Sequence, residues 1–393
     1  MPWKQTTMFK EKQEFIREFE TGKYTISELC TGFGISRPTA YRLIKKYEEQ
    51  GENAFDSLSR VPHTSPYETL PQVKTAIMYF RNKHKNWGAR KIRVLLEKEF
   101  ESSLIPSAMT IHSILKKNGF VITKKRFKRV KPIHPIYDAK NCNDVWSTDY
   151  KGKFLMGNKK YCHPLTIADK KSRYLFTAKG FYTENFKDTK AEFIKVFRKH
   201  GLPKQIHSDN GLPFGFTRSV RRYASLSYWF IDQGIEPVFS DPGSPQQNGK
   251  HERMHRDLKA DCAKPAAMNL RAQQRKLNKF VKEYNNIRPH EALEMKTPSD
   301  IYINSLREYK EKVREWEYDE GIYPRKVTKT GAMRWKSYNW IYVSRALIGK
   351  YVGIEEVGNG IWRVYYRNIF LGYFDTKKLI TEKTLLNLFC DNV

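Results

Sequence analysis

The chain has 393 residues, too long for one typical domain and long enough for two to four, each burying its own core. With 72 Lys and Arg against 42 Asp and Glu, its formal net charge of +30 attracts polyanions and releases their counterions on binding, which points to nucleic acid. Five cysteines, scattered and with no Cys-x-x-Cys, argue against a disulfide framework and a thiolate zinc site. The opening residues carry no apolar signal region, and no window approaches the roughly 18 apolar residues of a membrane span, so the expectation is an intracellular, cytoplasmic protein with no membrane partner.

Residues 9 to 51 read as a helix-turn-helix. In 25-TISELCTGFGISRPTAYRLIKKYEEQG-51, Thr25 and Glu28 make a capping box and Gly34 makes the turn. Ser36 then caps a second helix that has Pro38 in its first turn and Gly51 after its end. This is the candidate recognition helix, with Arg37, Thr39, Arg42 and Lys45 placed to meet base edges or phosphates. An ordinary helical hairpin is the competing reading. A second helical unit follows over 71 to 119, with Ile92, Leu95 and Leu96 at helical spacing, Ser107 as a cap and Gly119 as a stop. Two such units in a row would grip more than one turn of DNA. Next, 122-ITKKRFKRVKPIHP-135 reads as a basic linker: Lys124, Lys125, Arg126, Lys128 and Arg129 suit a phosphate backbone, and Phe127 could stack on a base. The expected boundaries are 1–60 and 61–121 for the helical domains and 122–136 for the linker.

Over 137–302 the pattern becomes mixed. NDVWSTDYKGKFL, KYCHPLTIAD and RYLFTAKGF are β-like runs, TENFKDTKAEFIKVFRKHG is a helix ended by Gly201, and KQIHSDNG is a strand running into an Asn-Gly turn. A helix-like stretch around 217 to 232, the short strand IEPVFS, the loop 241-DPGSPQQNG-249 and helices over 245–263 and 269–286 complete the region. That is the element order of an α/β RNase H-like core. Over 303–322, LREYKEKVREWE sets Leu306, Tyr309, Val313 and Trp316 on one face and predicts a connecting helix packed on the core. From 323 to 393, short strands with turns at Gly358-Asn359-Gly360 and Arg367-Asn368 predict a small β-barrel. The expected fold is multidomain: all-α helix-turn-helix domains, a central α/β core and a C-terminal β-barrel.

Three carboxylates carry the chemistry. Alternation in VWSTDYK puts Val145, Ser147 and Asp149 on one face, and an Asp within a strand is costly to bury unless something answers its charge. A backbone hydrogen bond or a lysine would serve, and so would Mg²⁺. Asp209 precedes the Asn210-Gly211 turn, where Asp is an ordinary turn former. The element order, however, makes the first and fourth strands neighbours and sets Asp149 beside Asp209, and two carboxylates that close repel unless a cation lies between them. Glu252, Arg256 and Lys259 share a helical face at i, i+4 and i+7. Three acids with basic neighbours compose a two-metal nuclease site, with ions roughly 3.5 to 4 Å apart.

The stretch 251-HERMH-255 also fits His-Glu-x-x-His, with two zinc-binding histidines one turn apart and Glu252 as general base. Yet Met254 and Leu258 are the only strongly apolar residues within 245–260, which predicts an exposed, charged helix whose His251 and His255 touch phosphate or solvent. The extended signature fails at Leu258 and Asp261, and leaves Glu283 as a third-ligand candidate. A DNA-binding regulator without catalysis is the third class.

WSTDYKGKF, HSDNGLPF and SPQQNGKHERMHRDLK together resemble the three motif blocks of DDE transposases of bacterial insertion sequences, in the group related to retroviral integrases. The resemblance runs from the first helix-turn-helix to about residue 300. It implies that Asp149, Asp209 and Glu252 are catalytic metal ligands for two Mg²⁺ ions, with Mn²⁺ able to substitute, and that Lys259, with Arg256 beside it, contacts DNA. The implied reaction is hydrolytic nicking at the element's inverted ends, then attack of the freed 3′-OH on target DNA, with no covalent protein–DNA intermediate. The implied partners are double-stranded DNA, both ends and target, and further copies of the chain, at least a dimer, in the bacterial cytoplasm or nucleoid. Two departures stand out. Asp209 and Glu252 are 43 positions apart, more than is usual in the group, and the excess in FTRSVRRYASLSYWFIDQG reads as a surface insertion. The His-His-Cys-Cys zinc domain of retroviral integrases is absent.

Overall fold

The structure is a computed structural model that describes residues 7–56, 68–121, 139–216, 220–241, 245–336, 339–381 and 386–388. It divides into two compact units, 1–68 and 69–393.

The first unit is three helices, α1 (Met8–Glu20), α2 (Ile26–Gly32) and α3 (Arg37–Gln50), followed by a turn of 3₁₀ helix. The capping box forms as its residue types require: the Glu28 N–H donates to Thr25 Oγ1, and the Thr25 N–H donates to the Glu28 carboxylate at 2.8 Å. Gly34, with φ +63°, turns the chain between α2 and α3 in a conformation a side chain resists. Phe15, Ile16, Leu29, Ala40, Ile44 and Phe55 make the core. They come from all three helices and the turn after α3, so the hairpin reading gives way to a closed three-helix unit.

The second unit opens with α4 (Pro71–Lys83), α5 (Ala89–Leu96) and α6 (Ala108–Lys117), the last capped by Ser107 as its sequence predicts. These helices close around Ile77, Trp87, Ile92 and Ile111 and also dock on the remainder of the unit. His84 Nδ1 lies 2.7 Å from a Glu283 carboxylate oxygen, and the Asn86 amide donates to Asp261 at 2.8 Å.

The central sheet holds β1 (Val145–Tyr150), β2 (Phe154–Leu155), β3 (Tyr161–Asp169), β4 (Leu175–Phe181), β5 (Gln205–Ser208) and β6 (Glu236–Phe239). Helix α7 (Phe186–His200) lies between β4 and β5, and α8 (Ser225–Asp232) between β5 and β6. Across the sheet the order is β4-β3-β1-β5-β6, with β2 pairing the start of β3. β4, β3 and β1 run antiparallel, and β5 and β6 run parallel to β1. This is the arrangement the element order predicts. Alternation then sorts the faces. Trp146, Leu165 and Ile167 pack with Phe193 and Phe197 of α7 and with Phe230 of α8. On the other face, Ala168, Leu175 and Ala178 pack with α9 (Gly249–Leu258) and α10 (Leu270–Asn286).

Helix α8 lies in the segment read as a surface insertion, and the structure corrects that reading. Tyr228, Trp229, Phe230 and Ile231 are all buried. Phe230 enters the sheet's core, whereas Tyr228 and Ile231 enter the core of the C-terminal region. The helix therefore belongs to two cores at once.

The predicted connecting helix over 303–322 does not form. A short α11 (Pro298–Ile301) ends first, and the chain continues without helix to residue 322. Leu306, meant for the buried face, is 98% exposed. The segment instead satisfies polar groups at the α7–β5 junction: the Leu202 N–H donates to the Arg307 carbonyl at 2.7 Å, and the Ser305 N–H donates to the His200 carbonyl at 2.9 Å. The Arg307 guanidinium donates to the carbonyls of Pro203 and Gly234. A Cβ on Gly201 would stand 2.7 Å from the Ser305 carbonyl oxygen, so this strap lies directly on the chain beneath it. Tertiary hydrogen bonds override a helical periodicity that had too little apolar surface to bury.

Beyond it, β7 (Tyr323–Lys326), β8 (Ala332–Trp335), β9 (Asn339–Tyr342), β10 (Tyr351–Gly358), β11 (Ile361–Tyr366), β12 (Ile369–Asp375), α12 (Thr376–Thr381) and β13 (Leu386–Asn387) form the C-terminal region. The sheets are β12-β11-β10-β7 and β13-β9-β8, facing each other across Met333, Ile341, Val352, Val364 and Phe374. The expected closed barrel is not found among the described residues. An isolated bridge between Val327 and Met333 links the two sheets, which pack face to face. Among the described residues no helix is long and apolar enough to cross a membrane.

Asp232, at the end of α8, clasps the C-terminal region to the core. Its carboxylate accepts from Arg367 Nε at 3.0 Å, from Lys350 Nζ and from the Tyr366 hydroxyl. Removing one member of a half-buried charge cluster strands the others. Asp232→Ala is expected to lower the stability of the full chain by about 3 kcal/mol in urea titrations read by tryptophan fluorescence. A loss below about 1 kcal/mol would mean that the three partners simply return to water.

Candidate active site

The parallel pairing of β1 with β5, in which Ser147 stands opposite His207, carries Asp149 and Asp209 out along neighbouring strands in the same direction. Asp149 is half-buried near the end of β1, and burial followed by the charge of Asp209 pushes its carboxyl up to about 7. The Lys151 charge opposes this and does not win. A lysine partner, the plain alternative for this Asp, therefore does not describe its environment. Asp209 reaches solvent but still loses enough hydration to be raised, against a Gly211 N–H that donates to it at 3.1 Å.

Glu184, just before α7, also faces this pair, and its charge raises both aspartates. His163 Nδ1 lies 2.7 Å from its carboxylate. The sequence carries no sign of this role, since an acid at the threshold of a helix is common.

Glu252 stands on the first turn of α9 and is exposed. Among the described residues, no three His, Cys, Asp or Glu side chains converge as a metal-holding group. Two of the three carboxylates thus stand at neighbouring strand ends, and the third is exposed on the adjoining helix.

The inner side of α9 overturns the expectation of a solvated helix. His251, Met254, His255 and Leu258 are all buried, with the two histidines only 3% exposed. At i, i+3, i+4 and i+7 they make one continuous face, which is legible as such only if histidine is counted as a core residue. Their charge is suppressed: burial brings His251 down to about 3, and burial together with His251 pushes His255 lower still. Neutral rings can be buried when their nitrogens are satisfied, and hydroxyls from the sheet satisfy these. His251 Nδ1 lies 2.8 Å from Ser147 Oγ, and His251 Nε2 and His255 Nε2 lie 2.7 and 2.6 Å from Thr166 Oγ1. His255 Nδ1 faces the Asp149 carboxylate at 3.6 Å. Both ring nitrogens of His251 are thus engaged within the fold, and Glu283, the candidate third zinc ligand, is held by His84. The HERMH stretch is a helix face packed on a sheet.

Arg256 is exposed on α9 and Lys259 is exposed on the π-helical turn Lys259–Ala263 that continues it, so both lie open to a phosphate chain. In the first unit Arg37, Thr39, Arg42 and Lys45 are all exposed on α3. Arg37 donates to Ser27 Oγ at 2.7 Å and Thr39 pairs with Ser36, which anchors the start of this helix to α2. Lys124, Lys125, Arg126, Lys128 and Arg129, with Phe127, lie outside the described residues.

Two parts of the chain match known families. Residues 233–298 match the family model described as an integrase core domain, and residues 11–63 match one described as a helix-turn-helix domain. An uncharacterized protein of insertion element IS476 from Xanthomonas euvesicatoria is 25% identical over 63% of this chain and 69% of its own length. A putative integrase of a Spiroplasma virus is 27% identical over 63% of this chain and 74% of its own. Among solved structures, a chain of the simian T-cell lymphotropic virus intasome aligns over 75% of this chain and 97% of its own, with 14% identity and a TM-score of 0.37. The chain thus carries a helix-turn-helix domain ahead of an integrase-like core, and it is similar to proteins of insertion elements and to a viral integrase.

Proposed function

We propose that the protein is a DNA transposase that binds the inverted ends of its element, nicks them by metal-dependent hydrolysis and joins the freed 3′-OH to target DNA. The observation that carries this reading is the pairing of Asp149 with Asp209 on adjacent parallel strands, each carboxyl raised by burial and by acidic neighbours. Clustered carboxylates that hold their protons so tightly are relieved by a hard cation, and an all-oxygen donor set suits Mg²⁺ or Mn²⁺. Asp149 and Asp209 would hold it, with Glu252 as the third ligand. Bound there, divalent metal supplies positive charge for the attacking and leaving oxygens of a phosphoryl displacement, in the two-ion form of that chemistry.

The chain's own residues bind and orient the DNA. Arg256 and Lys259, beside the acids on α9, hold the phosphates flanking the scissile bond. Helix α3 reads the element end through Arg37, Thr39, Arg42 and Lys45. The second helical unit, the basic linker and the C-terminal sheets add phosphate contacts, as a net charge of +30 favours. Cutting and joining two ends together calls for at least a dimer on DNA. A second reading, a DNA-binding regulator without catalysis, is favoured by the lack of three converging acids among the described residues.

A labelled duplex bearing the element's inverted end separates the two readings. Wild type should nick it with Mg²⁺ or Mn²⁺, while Asp149→Asn, Asp209→Asn and Glu252→Gln should lose on the order of 10³-fold in cleavage and keep their binding. Binding without cleavage by wild type would leave the regulator.

Asp149 also predicts a pH dependence. Its folded value of about 7 lies above the unfolded value near 4, so its contribution to stability is complete below about 4 and is lost as pH rises through 7. Without metal, Asp149→Asn should gain stability over wild type at pH 8 and not at pH 4, by at most about 4 kcal/mol in thermal denaturation. Equal effects at both pH values would show that this carboxyl is not desolvated.

A further inference from the structure

Thr166 lies at the middle of β3, fully buried, with its Oγ1 within hydrogen-bond distance of the Asp149 carbonyl at 3.0 Å, His251 Nε2 at 2.7 Å and His255 Nε2 at 2.6 Å. A hydroxyl has one proton to give and two lone pairs to receive with. The carbonyl can only accept, so only one of these three partners takes the Thr166 proton at a time. Ser147 decides the state of His251. Its hydroxyl is 2.8 Å from His251 Nδ1 and 3.4 Å from the Ala168 carbonyl, so it donates to the imidazole. His251 must then carry its proton on Nε2 and donate it to Thr166.

His255 is left with two arrangements. If Thr166 donates to the Asp149 carbonyl, His255 carries its proton on Nε2 and presents a bare Nδ1 to the Asp149 carboxylate 3.6 Å away. If Thr166 donates to His255 Nε2, the imidazole carries its proton on Nδ1 and presents a donor to that same carboxylate. In both the ring holds one proton and stays neutral. The first suits an Asp149 that is not an anion, because a lone pair facing a carboxylate oxygen repels it. The second suits an anionic, metal-holding Asp149, since a short movement turns the 3.6 Å contact into a charge-assisted hydrogen bond.

We propose that His255 is a positioning residue for Asp149: in the metal-loaded protein it donates Nδ1–H to the carboxylate, and the Thr166 hydroxyl selects this tautomer by donating to Nε2. The inference rests on the reading of Asp149 as a metal ligand. His255 does not touch the DNA. It sets the direction in which the Asp149 oxygens face, as a carboxylate or carbonyl behind a metal-bound imidazole sets that ring, with the roles reversed.

Nitrogen NMR of the full chain labelled with ¹⁵N-histidine reads the tautomers directly, with the His255 signals assigned by their loss in His255→Asn. With saturating Mg²⁺, His255 should be protonated on Nδ1 and His251 on Nε2. Mn²⁺ binding, followed by electron paramagnetic resonance without DNA, supplies the second readout. His255→Asn, whose amide sits where Nδ1 was, should keep most of the affinity, and His255→Gln, which reaches toward the Nε2 position, should lose about tenfold or more. Thermal denaturation of both variants checks that they fold. A His255 that stays on Nε2 in Mg²⁺, or Gln binding metal as well as Asn, would overturn the proposal while leaving Asp149 as a ligand. Wild type that binds no Mn²⁺ and nicks no DNA would remove both.

Discussion

One threonine hydroxyl, in reach of two buried imidazoles, fastens α9 to the central sheet. The proposed site depends on that attachment, because α9 carries Glu252 and Arg256 and leads into Lys259, and the sheet carries Asp149. A polar fastening differs from an apolar one in how it fails. A buried hydrogen bond contributes only about 1 kcal/mol net, yet stranding one of its partners costs about 1 to 3 kcal/mol, so the helix has one good seat and few near misses. Met254 and Leu258 hold the same helix against Ala168 and Leu175 without fixing its rotation so narrowly.

Electrostatics works against the chain's overall balance at this place. In a protein of net charge +30, Asp149 and Asp209 stand where strands end and hydration is lost. The surrounding excess of lysine and arginine does not neutralise them, because a cation several ångströms away through water is screened while the loss of hydration is local. The same excess favours the approach of a polyanion. An acidic spot within a basic surface is what the proposed uptake of a divalent cation and a phosphate backbone requires.

Much of the architecture was legible in the sequence because it was written in local chemistry. Thr25 with Glu28, Gly34, Ser107 and the Gly358-Asn359-Gly360 turn each impose a backbone state within a few residues. Strand order followed from element order, and with it the meeting of Asp149 and Asp209. Other features were not legible because they are decided across the fold. His251 and His255 look polar until hydroxyls 85 to 104 positions away satisfy them. The strap over 303–322 has helical periodicity but forms no helix, and its Ser305 and Arg307 bond instead to carbonyls and N–H groups at residues 200 to 203 and 234. Glu184 gives no local sign at all.

Helix α8 shows that boundaries drawn along the chain and units of folding need not coincide. Tyr228 and Ile231 supply part of the core of sheets that begin about a hundred residues later, and Asp232 ties those sheets down. The C-terminal region is therefore not an exchangeable cassette. A chimera joined at residue 323 would leave behind the helix that completes the transplanted core, and the donor would be left with an apolar face open to water. A functional graft has to carry α8 with the sheets, although the two are separated in sequence by β6, α9, α10 and the strap. An exchange of segments between related chains is accordingly constrained to move the α/β core and the C-terminal region together.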